Sequence, residues 1–358
     1  MTSEYYEQKI LKYELLQMKA LQKEEENNPK RYALFPIKNK TAYEYYLRQE
    51  MIHWTTTELK FVEDRDQYDK SSDQIKKIFD TILAFFLVGD GLISDNISGR
   101  FLRECKDYES KAMFISQLHI ELIHAETYGL AAFTFKRTEE AMAELMNSVQ
   151  KTSCIMKKQN FMELWMLADN PRFERLVAFC CAEGIFFCTL FAVIFWFKSK
   201  NFFHNFITAN EFIFRDESLH RNWGAHLFSQ EVKHVKLSSI SDKVYEIVRS
   251  AVEIEDEFVD YILDSELEDL NKTDLKTFAR LITDNLLIQL GVEPIYNVKN
   301  PFSWFDSISL EGKHNFFEVD TGGGYQKSSL KELMNVEKRA GLIENKDTSF
   351  LNPEEENF

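Results

Sequence analysis

The stretch ELIHAETY, residues 121–128, decides the fold together with FRDESLH, residues 214–220. Both stretches contain a Glu-x-x-His motif, formed by Glu121 with His124 and by Glu217 with His220. Residues three apart share one face of a helix, so each motif offers a carboxylate and an imidazole to the same point in space. One such motif often arises by chance. Two of them, 96 residues apart on separate predicted helices, indicate a common metal site.

A lone carboxylate lies in an apolar helix upstream of each motif. Asp90 lies in LAFFLVGDGLI and Glu183 in VAFCCAEGIFF, 31 and 34 residues before the next motif. This doubled order of carboxylate helix and Glu-x-x-His helix is that of di-metal carboxylate bundles. Oxygen and imidazole ligands without thiolate suit iron or manganese better than structural zinc. The alternative, four unrelated buried acids and two core histidines, is disfavoured because leaving a buried charge unpaired costs several kcal/mol.

The spacing of proline favours long helices. Proline is absent between Pro36 and Pro171 and again between Pro171 and Pro294, and an interior proline would cost a helix about 3 kcal/mol. No alternating strand pattern bounded by turn pairs is visible, so the sequence predicts an all-α protein. We expect Ser72 or Asp73 to cap the second helix and Pro171 to open the fifth. The predicted helices span 42–55, 74–103, 109–135, 138–149, 172–198, 204–229, 240–268 and 273–290.

Composition divides the chain into three predicted regions. A charged N-terminal extension covers residues 1–35, and the helical bundle with its metal site covers 36–317. Residues 318–358 contain a glycine triplet and end in NPEEENF. Because such a segment buries little apolar surface, we expect it to be a flexible tail.

Charge and hydropathy exclude several classes of protein. The net charge of −15 argues against nucleic acid binding, which needs a surplus of Lys and Arg, and more weakly against binding to anionic membranes. The 22 residues from Leu176 to Phe197 are apolar except for Glu183, Gly184 and Thr189. That length could span a bilayer, but an ionisable group at mid-span is rare and costly. We therefore expect a helix buried inside a soluble bundle.

The cysteines and the N-terminus predict a cytoplasmic protein. The chain has five cysteines, which is an odd number, and none of them forms a CxxC pair. This predicts reduced thiols in a core rather than a disulfide framework. The N-terminal residues MTSEYYEQKILKYELL are charged and lack an apolar signal core.

The motifs together resemble those of a known family, the small subunit of class I ribonucleotide reductase, in its eukaryotic or viral type. The four metal-site motifs are GDGL around Asp90, ELIHAETY, AEGIFF at 182–187 and FRDESLH. Further similarity lies in HWTTTEL at 53–59, NPFSWFDSISLEGKHNFFE at 300–318 and the acidic tail ending in Phe358. The resemblance covers nearly the whole chain from about residue 30 and implies a ferritin-like helical bundle that forms a homodimer.

The resemblance also implies the chemistry. Two iron ions, a di-iron-oxo centre, would activate dioxygen and oxidise Tyr128 to a stable tyrosyl radical. Tyr128 follows His124 by four residues and therefore shares its helix face. The ligands implied are Asp90, Glu121, His124, Glu183, Glu217 and His220. By their spacing from Glu183 and Glu217, Phe187, Phe191 and Ile213 lie on the ligand faces, consistent with an apolar wall around the radical.

Three further residues are implied in electron transfer. Trp54 and Asp216 would join the ligand His124 in a chain between the metal site and the surface. Tyr325 matches the tyrosine that passes the oxidation to the large subunit. The C-terminal tail would dock onto that subunit. This match is looser, because Glu318 and Tyr325 are seven residues apart, one more than the family pattern, with a glycine triplet inserted.

Three alternatives remain open at the level of sequence. A di-iron oxidase or oxygenase acting on a small substrate would need an access channel but neither Tyr128 nor Trp54. A ferroxidase or iron-storage protein is usually much shorter. A structural paralogue that supports an active partner is disfavoured by the complete ligand set.

Overall fold

The computed structural model describes residues 32–166, 170–264 and 267–302. Within these ranges there is no β-strand, only an isolated bridge between Leu267 and Leu270. The helices are α1 (Lys40–Met51), α2 (Arg65–Lys70), α3 (Asp73–Asn96), α4 (Leu102–Glu104), α5 (Tyr108–Lys136), α6 (Glu139–Lys151), α7 (Ser153–Met166), α8 (Arg172–Cys181), α9 (Phe187–Ser199), α10 (His204–Glu231), α11 (Ser241–Ile262) and α12 (Lys272–Gln289). The predicted all-α class is confirmed.

Side-chain caps explain where several helices begin. Ser72 is the N-cap of α3 and accepts a hydrogen bond from the backbone N–H of Ile75 at 3.3 Å. Asp107 does the same for Ser110 at the start of α5, at 2.8 Å. Such a cap satisfies one of the backbone donors that the first turn leaves unpaired. Pro171 precedes the first residue of α8, as predicted.

Some predicted boundaries were wrong. The first helix begins at Lys40 and ends at Met51 rather than spanning 42–55, and α11 ends at Ile262 rather than near 268. The short helix α2 and helix α7 were missed altogether. The predicted helix over 74–103 is interrupted by a π-helical turn at Ile97–Phe101.

The predicted ligands lie on four helical segments, namely α3, α5, α8 with α9, and α10. Helix α5 packs against α1 and α3, and α10 packs against α8 and α9. Helices α8 and α9 are joined without a loop by a π-helical turn, Ala182–Phe186. Helix α8, this turn and α9 form the continuous helix Arg172–Ser199. It is long and apolar enough to cross a membrane, but its most apolar stretch is wholly buried in the bundle. The segment is a core helix, as the sequence predicted.

The cysteines also match their prediction. All five, at positions 105, 154, 180, 181 and 188, are buried and free.

Candidate metal centre

The six predicted ligands converge in the centre of the bundle. Their ligand atoms form two groups, each with its atoms within 4.8 Å of one another. One group contains Glu121, Glu183, Glu217 and His220, and the other contains Asp90, Glu121 and His124. Each of the six is at most 3% exposed. Because Glu121 belongs to both groups, the arrangement offers two adjacent cation positions that share a carboxylate.

Glu121 and Glu217 each reach both imidazoles. The Nδ1 atom of His124 lies 3.4 Å from Glu121 Oε2 and 3.0 Å from Glu217 Oε1. The Nδ1 atom of His220 lies 3.0 Å from Glu121 Oε1 and 3.2 Å from Glu217 Oε2. The two carboxylates therefore lie between the two histidines, and all four side chains would hold the metal ions together.

The outer nitrogen of each histidine has its own partner. His124 Nε2 lies 3.1 Å from Asp216 Oδ2, and His220 Nε2 lies 3.0 Å from the side-chain oxygen of Gln49. Because both partners are acceptors, Nε2 keeps its proton when the imidazole is neutral, so the Nδ1 lone pair is the one that would bind a cation. A carboxylate or amide behind a histidine is the usual way in which the orientation of a metal ligand is set.

Trp54, Asp216 and His124 form a continuous hydrogen-bonded chain. Trp54 Nε1 donates to Asp216 Oδ2 at 2.8 Å, the same oxygen that His124 Nε2 contacts. Gln49 Nε2 donates to the other Asp216 oxygen at 3.1 Å and so ties this chain to His220. All of these side chains except Gln49 were predicted, and the structure brings them together.

The donor set fits a pair of divalent cations. Asp90 Oδ2 and Glu183 Oε2 are buried and have no hydrogen-bond partner. Burial is the main cause that raises the pKa of both carboxyls well above their usual range, and the neighbouring carboxylates add to it. Four acids cannot all ionise in a dry pocket without counter-charge, and two divalent ions would supply the charge that is missing.

The histidines hold protons when no cation competes. Burial lowers the pKa of His220, but Glu121 and Glu217 outweigh it and raise the pKa to about 9. For His124, hydrogen bonds to Asp216 and to the same two glutamates likewise overcome burial and raise its pKa. Cation binding would therefore displace protons from this cluster.

Tyr128 lies in an aromatic pocket beside the cluster. Its hydroxyl donates to Asn210 Oδ1 at 2.8 Å, and its ring stacks on Phe86 with centroids 4.5 Å apart and planes 1° from parallel. Burial raises the pKa of Tyr128 well above its usual range, and the charges of Asp90 and Glu217 add to it.

The predicted wall forms a second layer. Phe187 and Phe191 pack against Phe86, with ring centroids 5.4 and 5.7 Å away, and Ile213 is fully buried. Phe86 itself, which stacks directly on Tyr128, was not singled out from the sequence.

Three polar residues of the site were also missed. Gln117 donates to Glu121 at 3.2 Å and to Glu183 at 3.1 Å, holding two ligands from different helices. It precedes Glu121 by four residues, and Asn210 precedes Glu217 by seven, so helical periodicity could have found both. Gln49 comes from α1, and no spacing in the sequence connects it to either motif.

The predicted Tyr325 and the C-terminal tail lie outside the described residues.

Comparison with known proteins agrees with this geometry. Residues 31–301 match the sequence model of the family described as "Ribonucleotide reductase, small chain". A ribonucleoside-diphosphate reductase small chain from Arabidopsis thaliana is 38% identical over 300 residues, covering 86% of the relative and 84% of this protein. The small chain of variola virus is 35% identical over 303 residues, covering 93% of the relative and 85% of this protein.

A solved structure shows the same fold. The ribonucleotide reductase Rnr4 homodimer from Saccharomyces cerevisiae superimposes with a TM-score of 0.70 at 25% identity, covering 98% of the yeast protein and 85% of this one. The ferritin-like bundle and the eukaryotic or viral type of sequence are both confirmed. The chain therefore belongs to the ribonucleotide reductase small-chain family.

Proposed function

We propose that this small subunit holds two iron ions, activates dioxygen beside them and oxidises Tyr128 by one electron to a stable radical. The ligands are Asp90, Glu121, His124, Glu183, Glu217 and His220. Tyr128 supports this proposal most directly, because a fully buried phenol lies in an aromatic pocket within the electrostatic reach of Asp90 and Glu217. When bound, the iron pair supplies the oxidising power by reducing dioxygen. Oxygen and imidazole ligands suit iron and manganese alike, and the tyrosine at 128 favours iron.

The residues around Tyr128 control its proton. Its raised pKa keeps the phenol protonated, so loss of an electron has to be accompanied by loss of the proton. Before oxidation, Asn210 Oδ1 accepts a hydrogen bond from the Tyr128 hydroxyl, but an amide oxygen is too weak a base to keep the proton. Asp90 and Glu217 are the carboxylates whose charges act on the phenol, and we assign the proton to one of them. The stacked Phe86 ring and the apolar layer behind it keep water from the radical.

The Trp54–Asp216–His124 chain carries the electron between the site and the outside of the bundle. The Trp54 and His124 rings lie 6.0 Å apart and within 23° of parallel, with Asp216 bonded to both. A di-iron oxidase or oxygenase acting on a small substrate would not require this chain or Tyr128, so both favour the radical function over that alternative.

The oxidation serves a separate large subunit, which reduces ribonucleotides to deoxyribonucleotides. Docking is assigned to the tail, residues 318–358, with Phe358 as its apolar anchor and Tyr325 as the relay. Five buried free thiols are in keeping with the reducing cytoplasm.

The partner of the bundle itself is a second copy of this chain. Ile115, Leu122 and Phe133 on α5 are 56%, 67% and 73% exposed. Their spacing of seven and eleven residues puts them on one helix face, which forms an apolar stripe. The yeast relative is a homodimer, and we assign this stripe to the dimer contact.

Electron paramagnetic resonance after adding ferrous iron and oxygen to metal-free protein tests the function. The wild-type chain should give a tyrosyl signal. Tyr128→Phe removes only the hydroxyl, so it should fold and bind iron but give no signal and no reductase activity. A tyrosyl signal that persists in Tyr128→Phe would assign the radical elsewhere. Deletion of the last seven residues should leave the signal intact and abolish activity with the large subunit.

A further inference from the structure

A lysine that is not among the predicted ligands is buried in the bundle. Lys158 on α7, Glu255 on α11 and Thr189 on α9 are each 0% exposed. Lys158 Nζ lies 2.6 Å from Glu255 Oε2, and Thr189 Oγ1 donates to the other Glu255 oxygen. Phe258 closes the pocket, with its ring centroid 3.7 Å from Nζ. A buried ion pair is rarely worth more to stability than apolar residues of the same size, so its presence calls for another reason.

The ammonium group also bonds to the backbone of the helix that carries Glu183. Lys158 Nζ donates to the carbonyl oxygen of Phe186 at 2.8 Å. Phe186 is the last residue of the π-helical turn Ala182–Phe186, and Thr189 lies in the first turn of α9 that follows. The network thus contacts the helix on both sides of the point where the π turn gives way to the α-helix.

The π turn decides the direction of Glu183. Such a turn contains one residue more than an α-helical turn and is rare unless its surroundings support it. Returning it to α-helical geometry would rotate one half of the helix relative to the other by about 100°, the angle of one residue. Glu183 lies inside the turn, where its Oε1 meets Gln117 at 3.1 Å, and such a rotation would take the carboxylate away from the other ligands.

We propose that Lys158, Glu255 and Thr189 are positioning residues that hold the π turn in register and so aim Glu183 at the metal site. The inference rests on the proposed metal site and adds the device that shapes one side of it. It predicts that removal of the ion pair costs the fold little but weakens the binding of the second cation.

The test is a Co²⁺ titration of metal-free protein, followed by visible absorption, with thermal unfolding of the same samples. In Lys158→Met/Glu255→Leu, both charges are replaced by apolar groups, so no unpaired charge is left in the core and the melting temperature should change little. Affinity for the second Co²⁺ should fall at least about tenfold, as is typical when a ligand loses its supporting contacts, and the absorption spectrum should change. A crystal structure of the variant should show Glu183 separated from Gln117.

The neighbouring pair on the same two helices is the matched control. Lys157 Nζ lies 2.5 Å from Glu257 Oε2, and the two side chains are 45% and 51% exposed. Lys157→Met/Glu257→Leu removes the same charges from a solvent-exposed pair next to the network and should leave both Co²⁺ affinities and the spectrum unchanged.

The outcomes separate the two levels of the proposal. If the wild-type chain binds no Co²⁺, the metal site is wrong and this inference fails with it. If the wild type binds two ions and the double variant does so equally well, only the role of the network is overturned. Should the double variant not fold, Thr189→Val keeps the ion pair and should still lower the affinity for the second Co²⁺. Thr189→Ser should restore that affinity, and unchanged binding in Thr189→Val would overturn the inference.

Discussion

Tyr128 and Asn210 form a hydrogen bond between two buried groups of helices α5 and α10. The amide nitrogen of Asn210 is already used, since it donates to the carbonyl oxygen of Phe206 at 2.8 Å. That bond fixes the amide orientation, so its oxygen faces the phenol and the phenol has to be the donor. At the scale of single residues, the pocket is therefore arranged for a protonated tyrosine.

This arrangement predicts a non-additive pair of mutations. Asn210→Leu leaves the buried hydroxyl of Tyr128 unpaired and should lower the free energy of unfolding by about 1–3 kcal/mol. In Tyr128→Phe/Asn210→Leu both polar partners are gone, so most of that loss should be recovered. Urea unfolding of the metal-free proteins measures the cycle. Additive effects would mean that the bond contributes nothing to the folded state.

Glu174 on α8 gives a prediction for pH. Burial raises the pKa of this carboxyl to about 7, with Lys243 acting against the shift, and its Oε1 has no hydrogen-bond partner. A folded-state pKa above the unfolded value favours the protonated state, so its contribution to stability is present at pH 4 and is lost as the pH rises through about 7. Glu174→Gln cannot ionise, and relative to the wild type it should gain about 1–2 kcal/mol of stability between pH 5 and pH 8 after allowance for screening. Urea unfolding at the two pH values tests this, and a pH-independent difference would contradict it.

At the scale of elements, α8 and α10 pack so closely at Gly224 that a side chain there would displace its neighbours. A Cβ atom at Gly224 would lie 2.7 Å from Cys180 Sγ and 2.7 Å from Phe179 Cδ1, both on α8. These two helices bring Glu183, just beyond α8, beside Glu217 and His220, and their separation therefore sets the width of the metal site.

Gly224→Ala should force α8 and α10 apart and destabilise the protein by about 1–3 kcal/mol, measured by urea unfolding. Gly91→Ala on α3 is the control, because a Cβ there meets nothing within 4 Å. That variant should be neutral or more stable by up to about 1 kcal/mol, since alanine favours helix over glycine. Equal effects at the two positions would rule out close packing as the reason for Gly224.

At the scale of the whole molecule, the helix that carries Glu121 and His124 also carries the apolar stripe Ile115, Leu122 and Phe133. Its inner face lines the metal site and its outer face is assigned to the second copy. The proposed dimer contact and the proposed radical site are then separated by the thickness of a single helix.

Leu122→Lys/Phe133→Glu should therefore dissociate the dimer, which sedimentation velocity would show as a shift to monomer. Leu164 on α7 is similarly exposed, at 66%, and lies on another helix, so Leu164→Lys should leave the dimer intact. A dimer that survives the double substitution would place the interface on another face.

The sequence by itself determined the fold class, the six candidate ligands and the position of Tyr128. These features depend on local signals. Glu121, His124 and Tyr128 share a face because they are three and four residues apart, and Asp90 and Glu183 are lone acids in apolar helices. The missed helix α7 shows the limit of that local signal. Its buried face includes the charged Lys158 while the apolar Leu164 is exposed, which blurs the apolar pattern, and packing against α8 and α11 stabilises it instead.

Only the tertiary structure decided which residues from distant parts of the chain support that site. Gln49 reaches His220 from 171 positions away, and Lys158 meets Glu255 from another pair of helices. Neither contact produces a recognisable spacing in the sequence, because such contacts depend on how different helices pack together and not on the periodicity of one helix. The π turn at Glu183 is likewise held by contacts from outside its own helix, and for this reason the local sequence predicted an unbroken α-helix there.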